Sequence, residues 1–385
     1  MSRPRILCVS FSPLQRDSRV RRQIAVLAEF GDVTTVGFGP GPDEAFAHVE
    51  IPEGVPSLPQ TLGGVARLAL HRHRAVELTA PAEREALKHL TPSQQFDLVV
   101  ANDARALPLT FALRGNAPVW ADMHEWAPQE NSASVLWRVL VGPYMDALCR
   151  RYLRHAAAVT TVSGAIAQLY INRYGVKPEV LRNAIAFQNL KPTPVDPNHI
   201  RLVHSGVAAP ERNIEGLIRA VQQLDERFSL DLYLVGDSDG YLGTLREMAK
   251  RAARVTLCDP ITPSEVPGTL NGYDLGVYIL PTKSLNHKLM LPNKFFEFVQ
   301  ARLGLVFAPS EETNQLIRQH GLGTVTAGSS AHDLVATLNS LRMDDIEGFK
   351  ASAHKAARTL SNDADLATQR ALVARLLDRE RSERG

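Results

Sequence analysis

The feature that most limits how this chain can fold is a rhythm. Short apolar runs alternate with longer amphipathic segments, and the rhythm stops once and restarts. In the first half the apolar runs are 6–9, 33–36, 98–101, 119–122 and 158–162. Helical periodicity fills 18–29, 105–114, 135–155 and 164–174. Runs that are apolar on both faces and separated by helices predict parallel strands covered from both sides. Such strands form a doubly wound α/β domain.

At 186–198 the pattern breaks into a stretch with three prolines and no helical period, which reads as a linker. Beyond it strands are predicted at 201–204, 230–235, 255–258, 274–279 and 305–308, with helices at 214–226, 241–251 and 294–302. The fold class is therefore α/β with two Rossmann-like domains, 1–190 and 200–360. The charged, amphipathic segment 363–385 is expected to pack back on the first of them. A chain of 385 residues suits two such domains.

The totals narrow the chemistry. Hydrophobic residues make up 44% and charged residues 22%, which is ordinary for a globular protein with a real core. A net charge of +2 argues against nucleic acid as a partner. Cys8, Cys149 and Cys258 are far apart and form no metal-binding pair, as expected of a reducing cytoplasm. No apolar run is long enough to span a bilayer, so a soluble chain or one resting on a membrane surface is expected.

Several common sites are missing. Ser10-Phe11-Ser12-Pro13 stands where a dinucleotide fold carries its glycine fingerprint, so neither a bound dinucleotide nor hydride chemistry is expected. There is no phosphate-binding P-loop and no nucleophile elbow, and His124-Glu125 lacks the second histidine of a zinc helix. Asp237-Ser238-Asp239 has two readings: a metal site on a diphosphate, or a strand-to-helix turn. Its place after an apolar run ending at Gly236 favours the turn.

What remains is a set of segments at predicted strand ends. Arg16-Asp17-Ser18-Arg19-Val20 opens the first helix, where Asp17 or Ser18 caps and nearby arginines suit an anion. Asp122-Met123-His124-Glu125 follows a strand, at the edge where open α/β sheets bind ligands. Its polar cluster is either a site or a buried histidine satisfied by Asp122 or Glu125. Ser163 reads as a helix cap, and Asn183, after Arg182, as a turn residue. In the second half Gly206 allows close approach to the backbone, and Arg212 begins a helix. Pro292-Asn293-Lys294-Phe295-Phe296-Glu297 presets a helix start whose N–H groups suit a phosphate. Asn293, Lys294 and Glu297 share a helix face, where a carboxylate can accept both hydroxyls of a ribose.

Together these segments resemble the retaining glycosyltransferases of the GT-B fold, in the large family four, over nearly the whole chain. The resemblance is to the branch with a D-x-H-E signature. It implies two domains facing a central cleft, a nucleotide diphosphate sugar as donor (UDP or GDP), and no cofactor or metal. It implies catalytic roles for His124, Arg212 and Glu297. Donor binding falls to Ser12, Gly206, Arg212, Gly236, Ile261, His287, Pro292, Asn293, Lys294 and Glu297. Arg16, Asp17, Arg19, Asp122 and Glu125 fall on the acceptor side. The acceptor would be a glycan, a lipid-linked sugar or a small molecule, and polysaccharide synthesis and a homodimer are compatible with the family. Two departures stand out. Val207 replaces a basic residue common after the glycine, with Lys288 or Lys294 as stand-ins. Leu289 occupies the place of an acid that contacts the donor sugar, with the polar segment Ser284-Leu285-Asn286-His287 beside it. They leave open a silent nucleotide-sugar-binding protein, and a GT-B epimerase is a further alternative.

The acceptor side is less legible. Segments 62–77 and 135–155 mix apolar residues with Arg and His. They read either as a face for an anionic membrane or lipid-linked acceptor, or as ordinary core-facing helices.

Overall fold

The computed structural model describes residues 3–236 and 240–384, with side chains through Asp378. The Asp237-Ser238-Asp239 turn lies outside the described residues. Two compact units emerge: Met1–Arg182 with Asp365–Gly385, and Asn183–Ala364.

Among the described residues the first unit holds a seven-stranded sheet. Its strands are β1 (Arg5–Pro13), β2 (Asp32–Phe38), β3 (Ala47–Ile51), β4 (Leu98–Asn102), β5 (Val119–Met123), β6 (Ala158–Thr161) and β7 (Glu179–Val180). They pair in parallel in the order β3-β2-β1-β4-β5-β6-β7. The order reverses between β1 and β4, where Ser10 stands in register with Asn102. That reversal opens a crevice at the carboxyl ends of the strands.

The predicted strands appear because their residues are buried on both faces: every residue of β4 and β5 is buried. The short edge strands β3 and β7 carry too little apolar sequence to signal themselves. The helix expected at 135–155 includes a π-helical turn at Trp137–Val141 before Gly142–Tyr152. The closing helix Asp363–Arg384 inserts Leu372, Val373, Leu376 and Leu377 among Ile6, Val33, Leu98 and Trp120. At about 1.5–3 kcal/mol per buried aliphatic side chain, this contact is a substantial share of the unit's stability.

The second unit repeats the plan with β8 (Ile200–Val207), β9 (Phe228–Val235), β10 (Val255–Cys258), β11 (Leu275–Tyr278), β12 (Gly304–Phe307) and β13 (Gly323–Val325). All pairs are parallel, in the order β10-β9-β8-β11-β12-β13, and the reversal falls between β8 and β11. Gly276 in β11 is what lets the helix Asn293–Gln300 sit close to the sheet. A Cβ there would lie 2.3 Å from the Phe298 ring.

The stretch read as a linker is stitched to the second unit. Gln188 N–H donates to Gln300 Oε1 (3.0 Å), Thr193 Oγ1 to the Asn271 carbonyl (3.1 Å) and Asn271 Nδ2 to the Lys191 carbonyl (2.9 Å). The prolines break the helix period, yet extended backbone still meets partners along its length.

Lys350 is the second unit's buried anchor. Its ammonium donates to the Tyr273 carbonyl (2.6 Å), Thr193 Oγ1 (3.0 Å) and Asp274 Oδ1 (3.1 Å), with both charges almost fully enclosed. Removing one member of a buried pair strands the other charge, whereas a hydrophobic replacement of similar shape fills the space. Lys350→Ala should lower stability by about 3 kcal/mol or more in urea unfolding. Double replacement of Lys350 and Asp274 by apolar residues should lose less than the single change.

Candidate functional site

The first sheet's crevice is organised around a buried charge. Asp122, at the end of β5, accepts from Arg19 Nη2 (2.7 Å) and Nε (3.0 Å), Thr160 Oγ1 (2.6 Å) and Gln23 Nε2 (3.2 Å). The Arg19 fork is bidentate, and its third nitrogen donates to the Leu181 carbonyl at 2.8 Å. Burial opposes the charge on Asp122, but Arg19 and His124 outweigh it and hold the carboxyl far below the usual range. Arg19 comes from the helix Ser18–Phe30, capped by Asp17, whose carboxylate accepts from Val20 N–H (3.1 Å) and from Ser12 Oγ (2.8 Å). The cap is thus Asp17, with Ser18 the first helical residue. Arg16 is exposed. Arg19 and Asp122 were expected to face a ligand. They are instead buried against each other, because a carboxylate at that depth requires a partner.

His124 follows β5 and is enclosed by acceptors. Nε2 lies 3.1 Å from Asn102 Oδ1 and 3.3 Å from Asp122 Oδ2, and Nδ1 lies 3.3 Å from Asp103 Oδ2. Its backbone N–H donates to Asp103 Oδ1 at 2.9 Å. Acceptors at both ring nitrogens match only the doubly protonated ring. Burial lowers its pKa, yet Asp103 and Asp122 prevail and raise it. His124 is therefore built as a cation. Asp103 holds a left-handed backbone (φ 66°), a strained state for a non-glycine residue, and strain of this kind gathers at functional sites. Glu125 is exposed, with its carbonyl fixed by the Tyr170 hydroxyl at 2.8 Å.

In the second unit the helix Asn293–Gln300 begins at Pro292 with no side-chain cap, so its first N–H groups are not claimed by a cap. Lys294 Nζ donates to Glu297 Oε2 at 2.6 Å, and both side chains are largely buried. The Lys294 Cε borders the space beside Gly206, 3.8 Å from where a Cβ would stand. Arg212 ends the turn Pro210–Arg212 and its Nη1 reaches the Tyr278 hydroxyl at 3.4 Å. Asn213 takes a left-handed turn (φ 55°) and anchors to the Ser329 carbonyl at 2.7 Å, directing Arg212 back to the sheet edge. His287 N–H donates to the cap Ser284 Oγ (3.1 Å), and its Nδ1 is buried without a partner among the described residues. Gly236 turns beside Val207, and Val207 is 42% exposed, so it offers this edge no charge. Ile261 packs into the core after β10. A cavity of about 440 Å³ beside Cys258, Asp259 and Pro260 contains none of these cations.

The geometry is that of two open sheets, each carrying a polar site at its reversal point. Residues 20–189 match the family model of Glycosyltransferase Family 4. The fold is that of the GT-B glycosyltransferases, and the first unit carries the family 4 match. Anabaena HepE, solved with UDP and glucose, is similar at 18% identity and TM-score 0.65, covering 97% of this chain and 99% of HepE. A glycosyltransferase from Rickettsia africae matches at 14% identity and TM-score 0.66 over 98% of this chain and 99% of its own. WaaG, a glycosyltransferase involved in lipopolysaccharide biosynthesis, matches at 14% identity and TM-score 0.64, over 95% and 99%. No curated protein matches the chain in sequence.

The predicted site residues sort by domain. Ser12, Arg16, Asp17, Arg19, Asp122, His124 and Glu125 belong to the first. Gly206, Arg212, Gly236, Ile261, His287, Pro292, Asn293, Lys294 and Glu297 belong to the second. Sequence reasoning missed Asn102 and Asp103, and with them what surrounds His124. Their signal was a pair of Asx residues at the end of a fully apolar run. Among the described residues no group of three His, Cys, Asp or Glu could hold a metal ion. Cys8 is no nucleophile, since burial pushes its thiol up to about 12.

His124 should titrate above the ordinary imidazole value of about 6.5 when followed by NMR. Asp103→Asn should move it down. Because the folded value is raised, the ion pairs stabilise the fold fully below about pH 6.5 and that stability fades as pH rises through the higher value. Titration at or below 6.5 would contradict the cationic assignment.

Proposed function

We propose that this chain is a glycosyltransferase that takes a sugar from a UDP-sugar and transfers it with retention of configuration, without a metal. The observation that carries this is in the second domain. An uncapped helix start, Lys294 and Arg212 gather at the edge where β8 and β11 part. A helix N-terminus with two cations is a diphosphate site, and it supplies the positive charge that other enzymes take from a metal. The UDP and UDP-glucose complexes of HepE support a uracil nucleotide. Glu297 then exchanges Lys294 for the ribose hydroxyls.

In the reaction the bond between the anomeric carbon and the phosphate oxygen breaks and the nucleoside diphosphate leaves with the electron pair. Arg212, Lys294 and the helix start stabilise that charge as it grows. The acceptor hydroxyl bonds to the anomeric carbon on the same face, and its proton passes to the leaving phosphate. His124 gives the first domain a held positive charge at its own strand edge, which suits an anionic group there.

The same reading places the acceptor at a membrane. The helix Leu62–Ala69 packs against Trp137–Val141. These segments and their flanks expose Leu62 (93%), Leu70, Val135, Leu136 and Val139, interleaved with exposed Arg67, Arg72, Arg74 and Arg138. Apolar residues ringed by arginines suit an anionic lipid surface and a lipid-linked acceptor. No described helix is long and apolar enough to cross a membrane. Sedimentation with phosphatidylglycerol vesicles should be strong at low salt and weaken as salt rises; no binding at low salt would remove the membrane from the proposal.

UDP should raise the melting temperature more than GDP, ADP or TDP, and EDTA should leave the shift unchanged. Arg212→Ala and Glu297→Ala should each weaken UDP at least about tenfold, the scale of one lost charged hydrogen bond. No shift with any nucleotide would refute the donor assignment.

A further inference from the structure

The second sheet's reversal point holds two buried polar atoms to which the diphosphate site gives no task. His204, near the end of β8, is 1% exposed, and its neighbour Ser205 is 3% exposed. His204 Nδ1 lies 2.9 Å from the Val277 carbonyl. A carbonyl only accepts, so Nδ1 carries the ring proton. His204 Nε2 and Ser205 Oγ are both buried with no hydrogen-bond partner among the described residues. Buried polar atoms are nearly always satisfied, so each open atom calls for an explanation. Successive residues of a strand face opposite sides of the sheet, and it is His204 Nε2 that lies toward Gly206.

The surroundings say where a ligand would lie. Gly206 follows, and a Cβ placed on it would stand 3.7 Å from His204 Nε2 and 3.8 Å from Lys294 Cε. The gap left by the glycine is bordered by the imidazole on one side and by the phosphate-site lysine on the other. The Tyr278 ring stacks on the imidazole at 6.0 Å and 16°, and its hydroxyl meets Arg212. Burial presses the imidazole down to about 4; the Val277 hydrogen bond works against this, while Lys294 and Arg212 add to it. The ring is therefore neutral at pH 7, with a bare lone pair on Nε2. An ionised phosphate has no hydrogen to give that lone pair, whereas a sugar hydroxyl does.

We propose that His204 Nε2 forms a subsite that accepts a hydrogen bond from a hydroxyl of the donor's sugar, next to the diphosphate site. The subsite rests on the nucleotide-sugar function proposed above. It also supplies an acceptor that Leu289, buried and apolar, cannot.

The test is calorimetry on the full chain with UDP and with UDP-glucose, UDP-galactose and UDP-N-acetylglucosamine. Melting temperatures serve as the control for folding. His204→Phe keeps a ring against Tyr278 and removes both nitrogens. It should weaken the best-bound sugar nucleotide at least tenfold while leaving UDP within twofold. His204→Gln, which restores an acceptor, should recover part of the loss. Ser205→Ala, on the other face of the strand, should leave both affinities within twofold, and His204→Leu decides the matter if His204→Phe does not fold. Equal weakening of UDP and the sugar nucleotide would make His204 a phosphate contact and overturn the subsite. Folded variants with unchanged affinities would overturn it too, leaving His204 a packing residue. If the wild-type protein binds UDP but gains nothing from any sugar, the subsite fails while the donor site stands. If it binds no nucleotide at all, both fail together.

Discussion

Asp122 sits at the bottom of the first sheet's crevice, buried and charged. A carboxylate at that depth is tolerable only if its oxygens are fully met, and Arg19 meets both at once. Much follows from that pair. It holds the helix Ser18–Phe30 to the carboxyl end of β5, and through the Leu181 carbonyl it holds the end of the domain's last strand. It also sets His124, whose Nε2 has the same carboxylate on one side and Asn102 on the other. With Asp103 at Nδ1, the imidazole becomes a positive charge with a defined place. The net sum of Arg19, Asp122, Asp103 and His124 is close to neutral. The domain can therefore keep four ionised groups together.

The second domain solves a different problem with less machinery. On the proposed function it has to offer positive charge to an anion without burying an unpaired cation. Lys294 rests on Glu297 and Arg212 on the Tyr278 hydroxyl, so each cation has a polar partner. The helix start at Pro292 has no side-chain cap on its first N–H groups. Gly276 matters because it lets Phe298 press against β11, which sets the height of that helix over the sheet.

Much of this was legible in residue order. Parallel strands buried on both faces announce themselves as apolar runs, so β4, β5, β11 and β12 were placed almost to the residue. Edge strands β3, β7 and β13 were not, because one neighbour and a half-exposed face leave little apolar pattern. The segment Pro292 to Glu297 was recognisable since helix starts follow local rules. Arg19 could not be read correctly. An arginine in a helix's first turn looks solvated in sequence, and its partner lies 103 residues away. The proline-rich stretch was read as slack for a related reason, since its partners at Asn271, Gln300 and Lys350 are distant in the chain.

Sequence alone determined the alternation of strand and helix, the two-domain plan, and the identity of the residues at strand ends. Those depend on local periodicity and on turn and capping chemistry within a few residues. Tertiary structure decided the electrical state of the sites. Whether Asp122 is charged, whether His124 is a cation while His204 is neutral, and which polar atoms stay open for a ligand all depend on groups tens of residues away. Electrostatics in a protein interior follows distance in space and access to water, and neither is written in residue order.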